Sequence, residues 1–438
     1  MDWHGRQRGF ASWRRAWIGP LALLLLTSSA PALAQDGAYD MANGGDTAWL
    51  LAATCLALFT SLPGFALFAS GQTPGRSQAT VLFQCIEVAL LGVLSWTLVG
   101  YTLAFGSVSG GILGSGNAWM LANLANIRAG TQIPESAYAL FQMIGATLAP
   151  TLVAGALAGR VRTRWLLAFT GLWSLVVYAP MAHWIWGGGW LAASFGTFDW
   201  NGGIVLATTC GTSAVTLALI VGPRRQTAIA PLGQVLTVLG AFLFMVGRVA
   251  SAGAGAMTAN DDAAAAMLST LLAGATGALV WSALTQWRSA TAGALSLARG
   301  TLAGLAAVAT SAGYVSPGGA TVVALLGTIA GHQVACLLHR SARIHDAGLV
   351  IAIFAGAGIS GSLLAVPFLS PALGGTGFDP HFAFASPFLA QGFGVLVAAA
   401  WSMIASLVLA TMVSVALPMR VSQDREANGL DTASNGEA

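Results

Sequence analysis

The sequence predicts an all-α polytopic membrane protein of eleven transmembrane helices, with the mature N-terminus outside and the C-terminus in the cytoplasm. Three observations carry this. Charged residues make up 8% of the 438 residues and hydrophobic ones 56%, whereas a soluble chain carries roughly 25% charged. The mean hydropathy is +0.74, and eleven apolar stretches each approach the ~20 residues that cross a hydrocarbon core. Finally, all 18 basic residues are arginine, and of the thirteen in the connections and tail past the signal segment, twelve fall on one side when successive connections are assigned alternately in and out.

Taken in order, residues 1–34 read as a cleavable signal peptide. Arg6, Arg8, Arg14 and Arg15 form a positive start, Ile18 to Leu26 an apolar core too short to span, and Ala32-Leu33-Ala34 an A-x-A cleavage pattern. Residues 35–417 form the transmembrane domain. Its spans are expected near 47–70, 78–105, 136–158, 165–186, 202–222, 230–253, 263–286, 298–315, 318–338, 348–369 and 388–416. The stretch 298–315 is short and broken by Ser311-Ala312-Gly313. Residues 418–438 turn polar and charged, a composition that reads as a disordered cytoplasmic tail.

With the mature N-terminus outside, Arg76, Arg160, Arg162, Arg164, Arg224, Arg225, Arg288, Arg299, Arg340, Arg343, Arg420 and Arg425 all lie on the cytoplasmic side. The other side keeps Arg128 with Glu135, Asp199, Asp261, Asp262 and Asp379. A wrong span count would scramble this partition.

The composition also excludes functions. Cys55, Cys85, Cys210 and Cys336 each sit in an apolar span and none forms a CxxC pair, so neither a disulfide framework nor a zinc site is expected. No Ser/His/Asp set, carboxylate pair or phosphate loop is found among the spans, so no catalytic residue, metal or cofactor is assigned and an enzyme is not expected. A net charge of +3 marks no nucleic-acid surface. The 55 glycines suit a bundle whose helix backbones approach closely in lipid.

The densest chemistry lies between Tyr178 and Gly203, with one His, four Trp, a Gly run and Asp199. A carboxylate beside a membrane span is costly. It serves either a polar mouth that attracts a cation or a cap for the backbone donors of the Gly-rich turn and the next helix. Trp186 would add a cation–π face to such a mouth. Two further charges fall within spans. Glu87 is expected to face a polar cavity or to stay neutral; Arg248 is read as snorkelling to the outer interface or as part of an altered gate.

Several motifs, in order, resemble the ammonium transporter (Amt/Rh) family. They are Asp46-Thr47-Ala48-Trp49, Pro63-Gly64-Phe65, Trp96 with Gly100 to Gly106, Phe141-Gln142 with Gly155 to Ala158, Tyr178-Ala179-Pro180, Ala182-His183-Trp184, Trp186 to Gly189, Asp199 to Gly203, Gly313-Tyr314-Val315, and Arg420-Val421 with Gly429-Leu430-Asp431. The resemblance implies two inverted five-helix halves plus a final helix, a homotrimer with one narrow pore per protomer, ammonium or ammonia as permeant, and a bacterial cytoplasmic (inner) membrane. It also makes residues 418–438 a regulatory tail that docks a PII-type signalling protein. By the same resemblance Asp199, Trp186 and Phe141 belong to the outer vestibule, and Thr208, Thr209 and Cys210 lie beside the pore.

The chain departs from the family where the pore is narrowest. Ala207 and Phe354 occupy the places of the family's two facing histidines. Gly145 and Ser251 replace its gating phenylalanines, Arg248 replaces a tryptophan, and Gly255 replaces a serine of the recruitment site. Ammonium or ammonia transport remains the first reading. The alternatives are a non-conducting ammonium-sensing or regulatory homologue, or a channel for another small neutral solute.

Overall fold

The computed structural model describes residues 42–431 apart from 110, 117–118, 225–230, 290–292, 342–343, 345, 379–380 and 382–385. The expected signal peptide, Arg225, Arg343, Asp379 and residues 432–438 lie outside the described residues. Among those described, nine helices are long and apolar enough to cross a bilayer. They are α1 (Gly44–Gly71), α2 (Gly75–Phe105), α3 (Glu135–Ala156), α4 (Thr163–Ala193), α5 (Gly203–Val221), α6 (Pro231–Ala254), α7 (Asp261–Ser289), α9 (Pro317–His339) and α11 (Pro387–Ala416). Two apolar helices are shorter, α8 (Ala294–Val308) and α10 (Ile351–Leu364). A six-residue helix, α12 (Gln423–Asn428), follows α11.

The two short helices differ from the lengths expected of them, and the backbone says why. Where 298–315 was expected, the helix stops at Val308, because the carbonyls of Ala309 and Thr310 instead accept from Asn201 N (2.8 Å) and Trp200 N (2.9 Å). Where 348–369 was expected, α10 begins at Ile351, capped by Asp346, and gives way after Leu364 to a 3₁₀ turn at Val366–Leu369 that contains Pro367.

α1 and α6 cross so closely that their backbones touch. A Cβ on Gly64 would lie 2.8 Å from the carbonyl oxygen of Gly240 and collide with the backbone nitrogen of Phe244. With apolar side chains gaining little by leaving lipid, such approach of small residues is what packs helices in a membrane. α5 and α10 meet in the same way, Gly211 against the backbone of Ala355 and Gly358 against the Cβ of Ala207. Both of these helices open with a π-helical segment, Gly203–Thr208 in α5 and Ile351–Ile359 in α10.

The connections bond to one another in two groups, one at each end of the bundle. At one end Ala259 N donates to Asp46 Oδ1 (2.7 Å), and Trp49 Nε1 to Gly253 O (3.3 Å). There too Arg128 pairs with Glu135 (3.2 Å) and stacks over Tyr138 (4.5 Å to the ring centre). At the other end the described part of the tail is ordered, contrary to the disorder its composition suggests. Arg420 donates to Val221 O (2.7 Å) and Pro223 O (2.8 Å) and pairs with Glu426 (3.0 Å). Asp431 accepts from Thr80 N and Thr80 Oγ1, both at 2.8 Å. Charge-assisted bonds to backbone groups outweigh the tail's polar composition once the loops it bonds to are gathered at one end.

Glu87 does not face a cavity. It is exposed on the outer side of α2, beside Phe83, Ile86, Leu90 and Leu94, which are exposed too. The i, i+3/i+4 spacing puts all five on one face. Arg248 lies on the buried side of α6.

Two expected outcomes follow from this packing. Gly64→Leu abolishes a monodisperse peak in detergent size-exclusion chromatography, whereas Gly392→Ala, where a Cβ meets nothing within 4 Å, leaves it unchanged. Asp431→Ala frees the tail, read as faster tryptic cleavage at Arg420 and Arg425 with the transmembrane fluorescence melt unaltered.

Candidate functional site

The site grows from the turn Asp199-Trp200-Asn201-Gly202-Gly203. Gly202 adopts φ +86°, a left-handed conformation in which a side chain would also strike Leu206. That turn folds the Asp199 carboxylate back over the start of α5. Oδ1 accepts from Gly202 N and Gly203 N (2.8 Å each), Oδ2 from Ile204 N (2.8 Å) and Val205 N (2.9 Å). The first-turn donors that a helix leaves unpaired are thus all taken by one side chain. Burial raises the Asp199 carboxyl to about 6, and the four N–H groups hold it down from going further, so it is mostly ionised at pH 7.

The rest of the turn is locked to its neighbours. Trp186 Nε1 donates to Asp199 O (2.6 Å) and Trp200 Nε1 to Ala252 O (2.8 Å). Ser251 Oγ donates to Asn201 Oδ1 (2.7 Å), and the Arg248 guanidinium to Asn201 O. Arg248 is 5% exposed, so it turns into the bundle rather than snorkelling to the interface. Its charge is held by a carbonyl and by proximity to Asp199.

Above this turn lies a cavity of ≈ 270 Å³ lined by, among others, Phe141, Gly145, Trp186, Asp199, Arg248 and Ser251. Beneath it is a constriction of ≈ 20 Å³, walled by Leu148, Leu206, Ala207, Phe244, Arg248 and Phe354 among others. Leu206 and Arg248 line both, so the two spaces adjoin. A cavity needs roughly 10–15 Å³ to hold one water, so the constriction admits about one molecule of that size. Phe354 is fixed there, edge-on to Phe65 at 6.2 Å.

The structure thus brings Asp199, Trp186, Phe141, Gly145, Ser251, Arg248 and Gly255 to one cavity, and Ala207 and Phe354 to the constriction beside it. A side chain at Gly145 would run into the Tyr178 hydroxyl, which occupies that space. Thr208, Thr209 and Cys210 are on α5 but turned to backbone: Thr208 Oγ1 donates to Gly203 O (3.0 Å), Thr209 Oγ1 to Val205 O (2.6 Å) and Cys210 Sγ to Ala149 O (3.3 Å). His183 is wholly buried, its Nδ1 against Ala104 O (3.0 Å), where it ties α4 to α2.

Sequence reasoning missed Asn201, which joins Arg248 and Ser251, and Asp346, which repeats the work of Asp199. Asp346 accepts from Ile351 N and Ala352 N at 2.8 Å each. These are five and six residues on, as Ile204 and Val205 are from Asp199. Ala207 and Phe354 likewise each follow their Asp by the same interval. That repeated spacing was the available signal.

A helical bundle of membrane-spanning length, with a chamber adjoining a narrow and largely apolar neck, is the build of a multi-pass membrane transport protein. The chain belongs to the ammonium transporter family: the profile described as "Ammonium Transporter Family" matches residues 48–438. It is 31% identical to the "Ammonium transporter" of Aquifex aeolicus over 425 residues, 96% of this chain and 98% of that one. It is also 31% identical to "Ammonium transporter Amt1" of Archaeoglobus fulgidus over 404 residues, 90% of this chain and 99% of that one. The fold is shared with a "Sensor Amt Protein" (TM-score 0.80, 23% identity, 91% and 99% of the two chains). Mep2 of Saccharomyces cerevisiae has it too (TM-score 0.80, 23% identity, 91% and 93%).

If Asp199 is the cap of α5, Asp199→Asn strands two of its four donors and lowers the melting temperature, each orphaned N–H costing about 1–3 kcal/mol. Asp346→Asn has the smaller effect, with two donors at stake. Equal melting curves for wild type and Asp199→Asn would contradict the assignment.

Proposed function

We propose that the protein carries ammonium nitrogen across the membrane, and that the species crossing the neck is neutral ammonia. The observation that carries this is Arg248, a buried guanidinium lining both the outer cavity and the neck. A second cation entering that space meets a fixed charge of its own sign, at low dielectric and with no side-chain acceptor in the neck. The Asp199 carboxylate lines the larger cavity but not the neck, where Arg248 is the one charged side chain in the wall. Ammonia is uncharged and of about water's size, and so fits the neck. Ammonium reaching the outer cavity gives its proton to water there, and the proton stays outside.

The membrane arrangement is part of the same reading. All eleven apolar helices cross, α8 and α10 included, with two inverted halves α1–α5 and α6–α10 followed by α11. The matched caps of α5 and α10, at opposite ends of the bundle, support the inversion. The arginine-rich end, with the tail bound to it, faces the cytoplasm, and a bacterial inner membrane is the setting. Glu87 supports self-association: a carboxylate on an otherwise apolar outer face near mid-span is costly in lipid and is relieved when another copy covers it. The family resemblance makes that assembly a homotrimer and the tail the place where a PII-type protein docks. A cleaved signal at residues 1–34 completes the reading.

Proteoliposomes given an inward ammonium gradient will alkalinise inside faster than empty vesicles, with a rate that rises with pH as the ammonia fraction rises. No charge displacement will be recorded on a solid-supported membrane. A current that scales with ammonium, or flux no greater than in empty vesicles, would overturn the proposal. Arg248→Gln will let methylammonium compete with ammonium in the same assay, while the wild type ignores it.

A further inference from the structure

At the other end of α10 from the outer chamber is the largest cavity described, ≈ 780 Å³. It lies among the ends of α1, α7, α9 and the start of α8. Its lining holds four guanidiniums, Arg224, Arg288, Arg299 and Arg340, against one carboxylate, Asp346. We propose that this cavity is a binding site for a multivalent oxyanion of the phosphate class.

The arginines alone would not support this, because cytoplasmic ends of membrane proteins collect arginine for topological reasons. What topology does not explain is the state of the wall. Gln72 is 6% exposed; its Oε1 accepts from Arg299 (2.9 Å), while its Nε2 has no acceptor. The Nε atoms of Arg224 and Arg299 are buried without partners as well. The buried unpaired side-chain atoms described among the lining residues are all donors. Leaving buried donors unpaired is costly, and so is converging guanidiniums without a counter-charge.

Asp346 offsets only part of this charge: it is one carboxylate against four guanidiniums, and each of its oxygens already accepts from the backbone, of Ile351 and Ala352. Arg224 is already spent on fixing loops, donating to Gln72 O (3.1 Å) and Ala158 O. Arg288 and Arg340 are exposed at the rim, and among the described residues the Arg288 guanidinium donates to Gln333 Oε1 (2.9 Å). They are free to close over a ligand, and guanidiniums match phosphate oxygens in pairs. A volume within the ~300–1,000 Å³ of small-molecule sites leaves room for more than an inorganic ion. Both a soluble phosphate ester and an anionic lipid headgroup carry this chemistry.

The full-length protein in phosphatidylcholine nanodiscs, without ammonium, is titrated with inorganic pyrophosphate by calorimetry. Saturable binding that weakens with salt is expected, and R288Q/R340Q weakens it about tenfold or more. As a check independent of that variant, pyrophosphate slows labelling of wild-type Cys336, which lines the cavity, by a polar maleimide. Competition from added phosphatidylglycerol makes a lipid headgroup the occupant; its absence makes it a soluble anion. No saturable binding, or unchanged affinity in the double variant together with unprotected Cys336, overturns the proposal. Neither result bears on ammonia flux, which is read separately.

Discussion

In hydrocarbon an unpaired backbone N–H costs several kcal/mol, and no water is at hand to relieve it. A helix that begins at the edge of such a medium must find acceptors for its first turn. Here α5 and α10 both find them in an aspartate that reaches forward five and six residues. With those caps in place each helix opens with a π-helical segment, a local widening often found at functional sites. Ala207 and Phe354 ride on those two segments and meet at the neck. The passage is therefore a consequence of how two buried helix starts are satisfied.

The same turn that caps α5 also anchors the one fixed positive charge described in the neck. Asn201 offers its carbonyl to Arg248 and its side chain to Ser251, so the guanidinium is held by backbone that Asp199 and Gly202 have already shaped. Carboxylate and guanidinium then both line the outer cavity with their bonds committed. The chamber is polar, with one carboxylate and one guanidinium in its wall. Below it the wall is aliphatic and aromatic apart from Arg248. The opposite end of α10 has the reverse character, with donors in excess of acceptors.

Much of the architecture was legible in the sequence. Apolar runs and the one-sided arginines gave the helices and which connections share an end, because lipid leaves the chain few alternatives. Motif order grouped Ala207 with Phe354, and Asp199 with Trp186 and Phe141, and each group shares a wall in space. Less legible were the ends of α8 and α10, since hydropathy does not register that a carbonyl has been claimed by a distant turn. Glu87 and Arg248 were misjudged for a related reason. A hydropathy profile gives a charge its depth in the span but not its bearing around the helix, and the bearing separates lipid from cavity.

What the sequence determined by itself is that this is a polytopic helical membrane protein, since the energy of burying apolar side chains is local and additive along the chain. What only the tertiary structure decided is which polar atoms meet. Asp199 turning to four amides, Arg248 to Asn201 O, and Gln72 holding Arg299 while keeping a bare donor all depend on packing between helices far apart in sequence. Hydrogen bonds are satisfied in space, one partner at a time, and composition carries no record of that choice.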